Sequence, residues 1–464
     1  MSAVIETDRT DPRPSGCPLL AAFDPDRIVA WREGRAIVAS DFLADVQRIA
    51  SLLPVTGHAI NLCEDRYAFI ASFCAVASRG ETTLLPPSRA RHAVDDVLKA
   101  HPDAYVLSDV TLDPAPDRLI MLPVLHAGSG VTDMQVPSID ADQIVAIGFT
   151  SGSTGQPKPN LKSWANFSHG SQLNAGVLAA IMKLGGGDVA SIVATVPAQH
   201  MYGMEMSVLL PLLGPFSVHA GKPFFPADIA RALEQVPPPR LLVTTPVHLR
   251  SILLENIELP QLAAIVSATA PLNPELAALA EQRFGAPLIE MFGSTETCVI
   301  AHRRTAVEDD WQLHSDVELR PQPDGTLVSA QHLSKPVQLQ DVVEMSSPDR
   351  FRLCGRNADL LEIAGKRASL ADLTRRLLAL RGVLDGVVFQ LDARMGGVQR
   401  VAALVVSPSR DPAELLAELR DQIDPVFLPR PLFRVERLPR NETGKLPRAA
   451  LLEALDRGAM GPER

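Results

Sequence analysis

Phe149-Thr150-Ser151-Gly152-Ser153-Thr154-Gly155-Gln156-Pro157-Lys158 follows an apolar run, Ile144 to Ile147, and decides how the rest of the chain is read. Glycines let backbone N–H groups curl around an anion, the hydroxyls of Thr150, Ser151, Ser153 and Thr154 add donors, and Lys158 supplies a positive charge at the end. An apolar strand followed by such a segment is a place to hold phosphates. It fits neither the Walker pattern GxxxxGK[ST] nor the dinucleotide fingerprint GxGxxG, which excludes an ordinary P-loop ATPase and a Rossmann dehydrogenase. Composition alone also allows a flexible Ser/Gly/Thr linker.

Around this segment, short apolar runs alternate with helical patterns. Leu241 to Thr244 reads as a strand, Pro246 and His248 to Leu254 as a helix, and Leu262 to Ser267 as a strand again. Asn273 is placed to cap a helix with Pro274 at its first position, Leu276, Leu279, Ala280 and Phe284 recur at helical spacing, and Gly285 is a stop. Pro287 to Phe292 is the next strand. Strand, helix, strand implies an α/β fold with parallel strands. The last hundred residues read instead as a compact α+β unit. Ser369 caps a helix carrying Leu370, Leu373 and Leu377; Val387 to Leu391 and Val401 to Val406 form two strands about a turn at Gly396-Gly397; Asp411-Pro412 opens a helix; and Leu432 to Val435 is a strand. The expected boundary lies at Gly355-Arg356, dividing a large domain, 1–354, from a small one, 355–464.

A chain of 464 residues is too long for one ordinary core, and 46% apolar with 21% charged residues is the balance of a soluble globular protein. A net charge of -10 argues against a nonspecific grip on nucleic acid or on an anionic membrane. Five scattered cysteines without a CxxC pair suit reduced thiols in the cytoplasm. Met1 to Gly16 lacks the apolar stretch of a signal peptide and reads as a frayed tail, and no apolar run is long enough to insert in a bilayer.

TSGSTGxPK resembles the signature of the acyl-adenylate-forming superfamily: acyl-CoA synthetases, peptide-synthetase adenylation domains and firefly luciferase. Pro159 stands where that family has glycine after the lysine. Further segments match in the family's order. Pro197-Ala198-Gln199-His200-Met201-Tyr202-Gly203 resembles PxxHxxG, whose histidine lies beside the acid pocket. Ser267-Ala268-Thr269-Ala270-Pro271-Leu272 resembles SGGAPL, the turn that packs on adenine, with Ala268 and Thr269 replacing its glycines. Met291-Phe292-Gly293-Ser294-Thr295-Glu296 resembles YGxTE, in which the aromatic stacks on adenine, the threonine meets the α-phosphate and the glutamate helps hold Mg²⁺. The family's ribose-binding aspartate corresponds to Asp341, with Asp349, in a turn, as the weaker alternative. Gly355-Arg356 resembles the start of the small domain, whose arginine contacts ribose and phosphate; the hinge aspartate is replaced by Ala358, with Asp359 one place late. Leu438 to Arg448 contains PRxxxGKxxR, in which Lys445 matches the catalytic lysine.

The resemblance implies a large domain of mixed, mainly parallel sheets and helices with a mobile α+β C-terminal domain. It implies ATP and Mg²⁺, attack of an acid on the α-phosphate, and then transfer of the acyl group to a thiol of coenzyme A or of an acyl carrier protein's phosphopantetheine. In that scheme Lys445, His200 and Glu296 are catalytic. Thr150, Ser151, Gly152, Ser153, Thr154, Gly155, Lys158, Ala268, Thr269, Ala270, Phe292, Gly293, Thr295, Asp341 and Arg356 bind the nucleotide. His200, Met201, Tyr202, Gly203, His248 and Met291 line the acid pocket, and Glu296 is the metal ligand. The stretch from Ala358 to Leu370 is most similar to small-acid ligases of bacterial aryl-polyene pathways, which load a hydroxybenzoate-type starter onto a carrier protein. An acyl-CoA synthetase and a non-catalytic adenylate-binding protein are the competing readings.

Overall fold

A computed structural model describes residues 16–21, 23–125, 135–151, 157–322, 325–356, 360–363, 366–391, 400–440 and 446–460. Residues 1–15 of the expected tail and the turn at Gly396-Gly397 lie outside these. The chain falls into two compact units, 1–223 with 231–240, and 224–230 with 241–464. Both are α/β in construction, with mixed sheets and flanking helices.

In the first unit a six-stranded sheet runs in the order Pro157–Ser163, Ile144–Ser151, Thr82–Leu85, His58–Asn61, Tyr105–Ser108, Leu119–Met121. All neighbours are parallel except the first pair, which is an antiparallel hairpin. Ile60, Leu84, Val106, Ile147 and Phe149 pack on Val94 and Val97 of the helix Arg91–Ala100 to close this core. A second group of strands, Ala190–Ala194, Phe216–His219 and Ile28–Arg32, is parallel, and Arg35–Val38 turns back against it. The helix Trp164–Met182 starts at a capping box in which Ser163 Oγ accepts from Asn166 N–H and Asn166 Oδ1 accepts from Ser163 N–H, at 3.2 and 3.1 Å.

In the second unit, Arg240–Thr244, Ala264–Ser267 and Leu288–Ser294 are parallel neighbours. The helices Pro246–Leu254 and Pro274–Phe284 connect them, as the sequence pattern predicts. Asn273 Oδ1 accepts from Glu275 N–H and Leu276 N–H, and Gly285 ends the second helix at φ 64°. Antiparallel strands continue through Cys298–Arg303, Trp311–Leu313, Arg350–Arg356 and Asp341–Ser347. The C-terminal part of this unit has its own apolar core. Leu373 and Leu377 of the helix Leu370–Leu378 meet Val388, Val401, Ala403 and Val405, and Leu415 and Leu419 of the helix Pro412–Arg420 join them. The expected boundary at Gly355 falls inside the second unit, at the end of the strand Arg350–Arg356. Among the described residues no helix is long and apolar enough to cross a membrane.

Candidate active site

The phosphate segment is less of a loop than the sequence suggests. The strand Ile144–Ser151 continues through Thr150 and Ser151, and Pro157–Ser163 pairs back on it with Lys158 opposite Thr150. Antiparallel pairing therefore confines the loop proper to the tip, and Gly152, Ser153, Thr154 and Gly155 lie outside the described residues. Lys158 is exposed on the returning strand. Pro159, opposite Phe149, keeps the segment extended.

In the same unit, His200 is the N-cap of a short helix, Met201–Met204, with its carbonyl accepting from Met204 N–H at 2.7 Å. Met201, Tyr202 and Gly203 are buried. Gly203 is dictated by packing, since a Cβ there would lie 1.9 Å from the carbonyl oxygen of Pro197. The helix passes directly into a π-helical turn, Glu205–Leu209. Arg66, fully buried, braces this region. It donates to the carbonyls of Ala194 and Val196 at 2.9 and 2.8 Å and to the Ser207 hydroxyl, while burial pulls its pKa down to about 10 against the weaker opposing pull of Asp65. No motif marked Arg66, because its partners lie more than a hundred residues away.

In the second unit the candidate residues cluster at the C-terminal ends of parallel strands, the usual place for ligands in α/β sheets. The Thr245 hydroxyl and His248 Nδ1 lie 3.0 Å apart at the start of the helix Pro246–Leu254, and the His248 ring meets Phe224 edge-on at 5.1 Å between centroids. After the strand Ala264–Ser267 comes the turn Ala268-Thr269-Ala270. Thr269 holds φ 79°, a left-handed conformation that a glycine would adopt freely and a β-branched residue resists. Thr269 thus holds, at a cost in strain, a conformation that glycine would take freely.

Glu290, absent from the expected set, holds this turn. Its buried carboxylate accepts from Leu272 N–H at 3.1 Å, from Arg303 Nε and Nη2 at 2.9 and 2.7 Å, and from the Thr305 hydroxyl at 2.7 Å. Arg303 in turn lies over the Trp311 ring at 4.4 Å. The one available sequence signal was a glutamate inside an otherwise apolar strand.

Met291 is buried one residue further along, and Phe292 is half-buried against Trp311 and Phe351, with centroids 5.3 and 5.6 Å away. At Gly293 a Cβ would come within 2.1 Å of the Cys298 carbonyl oxygen, and the register shifts there, so the hairpin requires glycine. Thr295 and Glu296 sit at the tip of this hairpin. Ser294 N–H donates to Thr297 Oγ1 at 3.1 Å, and Thr297 N–H donates to Ser294 Oγ at 3.2 Å, which fixes the turn. His332 Nε2 lies 2.8 Å from the Thr297 carbonyl oxygen.

Asp341 and Arg356 are direct cross-strand partners, so one antiparallel register brings together two expected nucleotide contacts from separate motifs. Asp341 is buried, and its backbone carbonyl accepts from Thr326 Oγ1 at 2.7 Å. Asp349 is committed to its turn. Its carboxylate accepts from Ser347 Oγ at 2.6 Å and Gln312 Nε2 at 3.1 Å, and these two bonds, the Ser347 one foremost, hold its pKa below the ordinary carboxylate value. Asp341 is therefore the better candidate of the two. Lys445 and Ala358-Asp359 lie outside the described residues. Arg440, five residues before Lys445, forks onto Asp385 Oδ1 and Oδ2 at 2.9 and 3.2 Å, and Arg250 adds a third bond to Asp385 at 3.0 Å.

A model of the AMP-binding enzyme family matches residues 25–324. The chain belongs to the AMP-binding enzyme family. The match contains the phosphate hairpin, His200, the adenine-type turn and Glu296, and as a member the protein is an AMP-forming acid–thiol ligase that uses ATP. It is 28% identical over 305 residues to a 4-coumarate–CoA ligase of Cereibacter sphaeroides, covering 64% of this chain and 69% of the relative. It is 29% identical over 312 residues to another from Halorhodospira halophila, covering 64% and 73%. In fold it is similar to o-succinylbenzoate CoA synthetase from Bacillus subtilis in complex with its acyl-adenylate intermediate, with a TM-score of 0.78, 17% identity, and coverage of 94% and 98%.

The residues present suit a magnesium nucleotide. Among the described residues no cluster of three His, Cys, Asp or Glu side chains could hold a metal alone. Mg²⁺ at such sites is characteristically held by one or two carboxylates with the substrate's phosphates completing the set, and a single carboxylate such as the expected Glu296, at the hairpin tip, is compatible with that arrangement.

Proposed function

We propose that this AMP-binding enzyme activates a small hydroxybenzoate-type acid as its acyl-AMP and passes the acyl group to the phosphopantetheine thiol of an acyl carrier protein. The observation that carries the activation step is the family match across residues 25–324, which takes in the donor-rich hairpin and the Thr295-Glu296 turn. The aromatic preference draws on the 4-coumarate–CoA ligases among the relatives. Those relatives also favour a second reading of the acceptor, in which coenzyme A itself takes the acyl group.

In the first step a carboxylate oxygen of the acid bonds to the α-phosphorus of ATP and the bond to pyrophosphate breaks. In the second a thiolate attacks the acyl carbon and AMP leaves. Catalysis of the first step is mainly alignment and charge stabilisation. The segment from Thr150 to Lys158 holds the β- and γ-phosphates. Thr295 donates to the α-phosphate, Asp341 accepts from the ribose hydroxyls, and Arg356 adds positive charge. Mg²⁺, when bound beside Glu296, screens the phosphate charge. Lys445 bridges the carboxylate and the α-phosphate as negative charge builds on the oxygens between them.

Acid-dependent exchange of pyrophosphate into ATP, over hydroxybenzoates, cinnamates and short fatty acids, tests the first step. Strong exchange with a hydroxybenzoate is expected, and Lys445→Ala should lower it by about 3 kcal/mol or more of transition-state stabilisation. Silence with every aromatic acid sinks the proposal. Thioester formation with a pantetheinylated carrier protein against coenzyme A then separates the two acceptors.

A further inference from the structure

Within the second unit, the C-terminal α+β part is tied to the strands and helices before it through one buried carboxylate. Asp385, at the start of the strand Asp385–Leu391, accepts from Arg440 Nη2 and Nε at 2.9 and 3.2 Å and from Gly386 N–H at 2.9 Å, all inside the C-terminal part. A further bond crosses out of it: Arg250 Nη1 lies 3.0 Å from Asp385 Oδ2. Side-chain exposures of 11% for Asp385, 18% for Arg440 and 21% for Arg250 keep most water away, so these charges interact more strongly than an exposed pair would. A second crossing uses Asn273. Its Oδ1 caps the helix Pro274–Phe284, and its Nδ2 donates at 3.2 Å to the carbonyl of Leu378, the last residue of the helix Leu370–Leu378.

Arg250 stands two residues after His248 on the helix Pro246–Leu254, a separation that turns the two side chains to nearly opposite sides. One short helix therefore carries a candidate pocket residue on one side and the grip on Asp385 on the other. Arg440, the other guanidinium on that carboxylate, precedes Lys445 by five residues. Five residues reach at most about 18 Å even when extended, so whatever fixes Arg440 bounds where Lys445 can be. The first chemical step depends mainly on alignment, and a displacement of about 1 Å at a reacting group costs up to roughly 100-fold in rate.

We propose that Arg250 is a positioning residue for adenylation: through Asp385 and Arg440 it fixes the approach of Lys445, without itself touching the acid or the nucleotide. This rests on the adenylation reading of the site and on Lys445 as its lysine. Arg250 is the informative position of the three. Arg250→Ala leaves the Arg440 fork on Asp385 closed within the C-terminal part, whereas loss of the carboxylate would strand two guanidiniums.

Pyrophosphate exchange is measured with ATP and whichever hydroxybenzoate, cinnamate or short fatty acid supports it best. The proteins compared are the intact chain, Arg250→Ala, Arg250→Lys, Lys445→Ala and the double variant Arg250→Ala with Lys445→Ala. Arg250→Ala should lower kcat roughly 10- to 100-fold while KM for ATP and for the acid stays within about twofold. Arg250→Lys should recover most of that loss, because a single contact to one oxygen needs the charge and not the planar fork. In the Lys445→Ala background the Arg250 change should cost less than about twofold, since a residue that acts through another adds nothing once the other is gone. A merely structural role predicts the same loss in both backgrounds, and that result overturns the proposal. An unchanged kcat in Arg250→Ala overturns it as well. Should Arg250→Ala not fold, Arg250→Gln, which keeps the length and drops the charge, carries the same comparison. Full exchange by Lys445→Ala alone would remove the lysine on which the relay ends, and the proposal with it. Silence of the intact protein with every acid, by contrast, defeats the adenylation reading itself and the positioning role together with it.

Discussion

Replacing Glu290 by alanine removes the acceptor of four hydrogen bonds at once. Arg303 loses both of its contacts of 2.9 and 2.7 Å, Thr305 its bond of 2.7 Å and Leu272 N–H its bond of 3.1 Å. Breaking a buried ion pair from one side typically costs about 3–5 kcal/mol, because the other charge stays behind unpaired. Arg303 remains partly accessible, with 20% side-chain exposure, and can recover some hydration, which places the expectation near about 3 kcal/mol. For a unit of this size that corresponds to a fall in Tm of roughly 6–12 °C. Because Leu272 ends the Ala268-Thr269-Ala270 turn, and Thr269 already holds a strained φ of 79°, loss of the Glu290 tether should also loosen that turn and raise KM for ATP. Thermal unfolding followed by circular dichroism, with ATP titrations in the exchange assay below the transition, reads both effects. A Tm within 1 °C of the parent would refute the assignment of Glu290 as the carboxylate that secures the turn.

Three other outcomes are expected. Gly203→Ala forces a Cβ to within 1.9 Å of the Pro197 oxygen, so the backbone around His200 must shift; exchange should fall at least tenfold while Gly176→Ala, where a Cβ meets nothing within 4 Å, leaves it intact. Burial, with Glu308 opposing it and Arg350 assisting, holds His302 below the ordinary histidine pKa, so the unfolded chain takes up that proton first; stability is intact above about pH 6.5 and falls below it, and His302→Gln should flatten the loss of urea midpoint between pH 7.5 and 5.5. Cys63, Cys74 and Cys298 are buried, and burial pushes the Cys63 and Cys74 thiols well up, so Ellman's reagent should label at most Cys17 and Cys354 in the native protein and all five cysteines in denaturant.

The sequence by itself determined the family, the order of the motifs and much of the local architecture. The helix Pro274–Phe284 was legible down to its Asn273 cap and Gly285 stop, because capping and left-handed turns depend on residues within one helical turn. Thr150 and Lys158 were legible as ends of an expected phosphate-binding segment for the same local reason, although the antiparallel pairing that puts both on strands was not. Tertiary structure alone decided the relations over long separations. The choice of Asp341 over Asp349 came from a register that sets Asp341 opposite Arg356 and leaves Asp349 tied into its own turn. Glu290 acquired its role from Leu272, Arg303 and Thr305, Arg66 from carbonyls more than a hundred residues distant, and Asp385 from Arg250 and Arg440. A buried polar side chain is defined by the partners that folding brings to it, and no spacing along the chain encodes which partners those are.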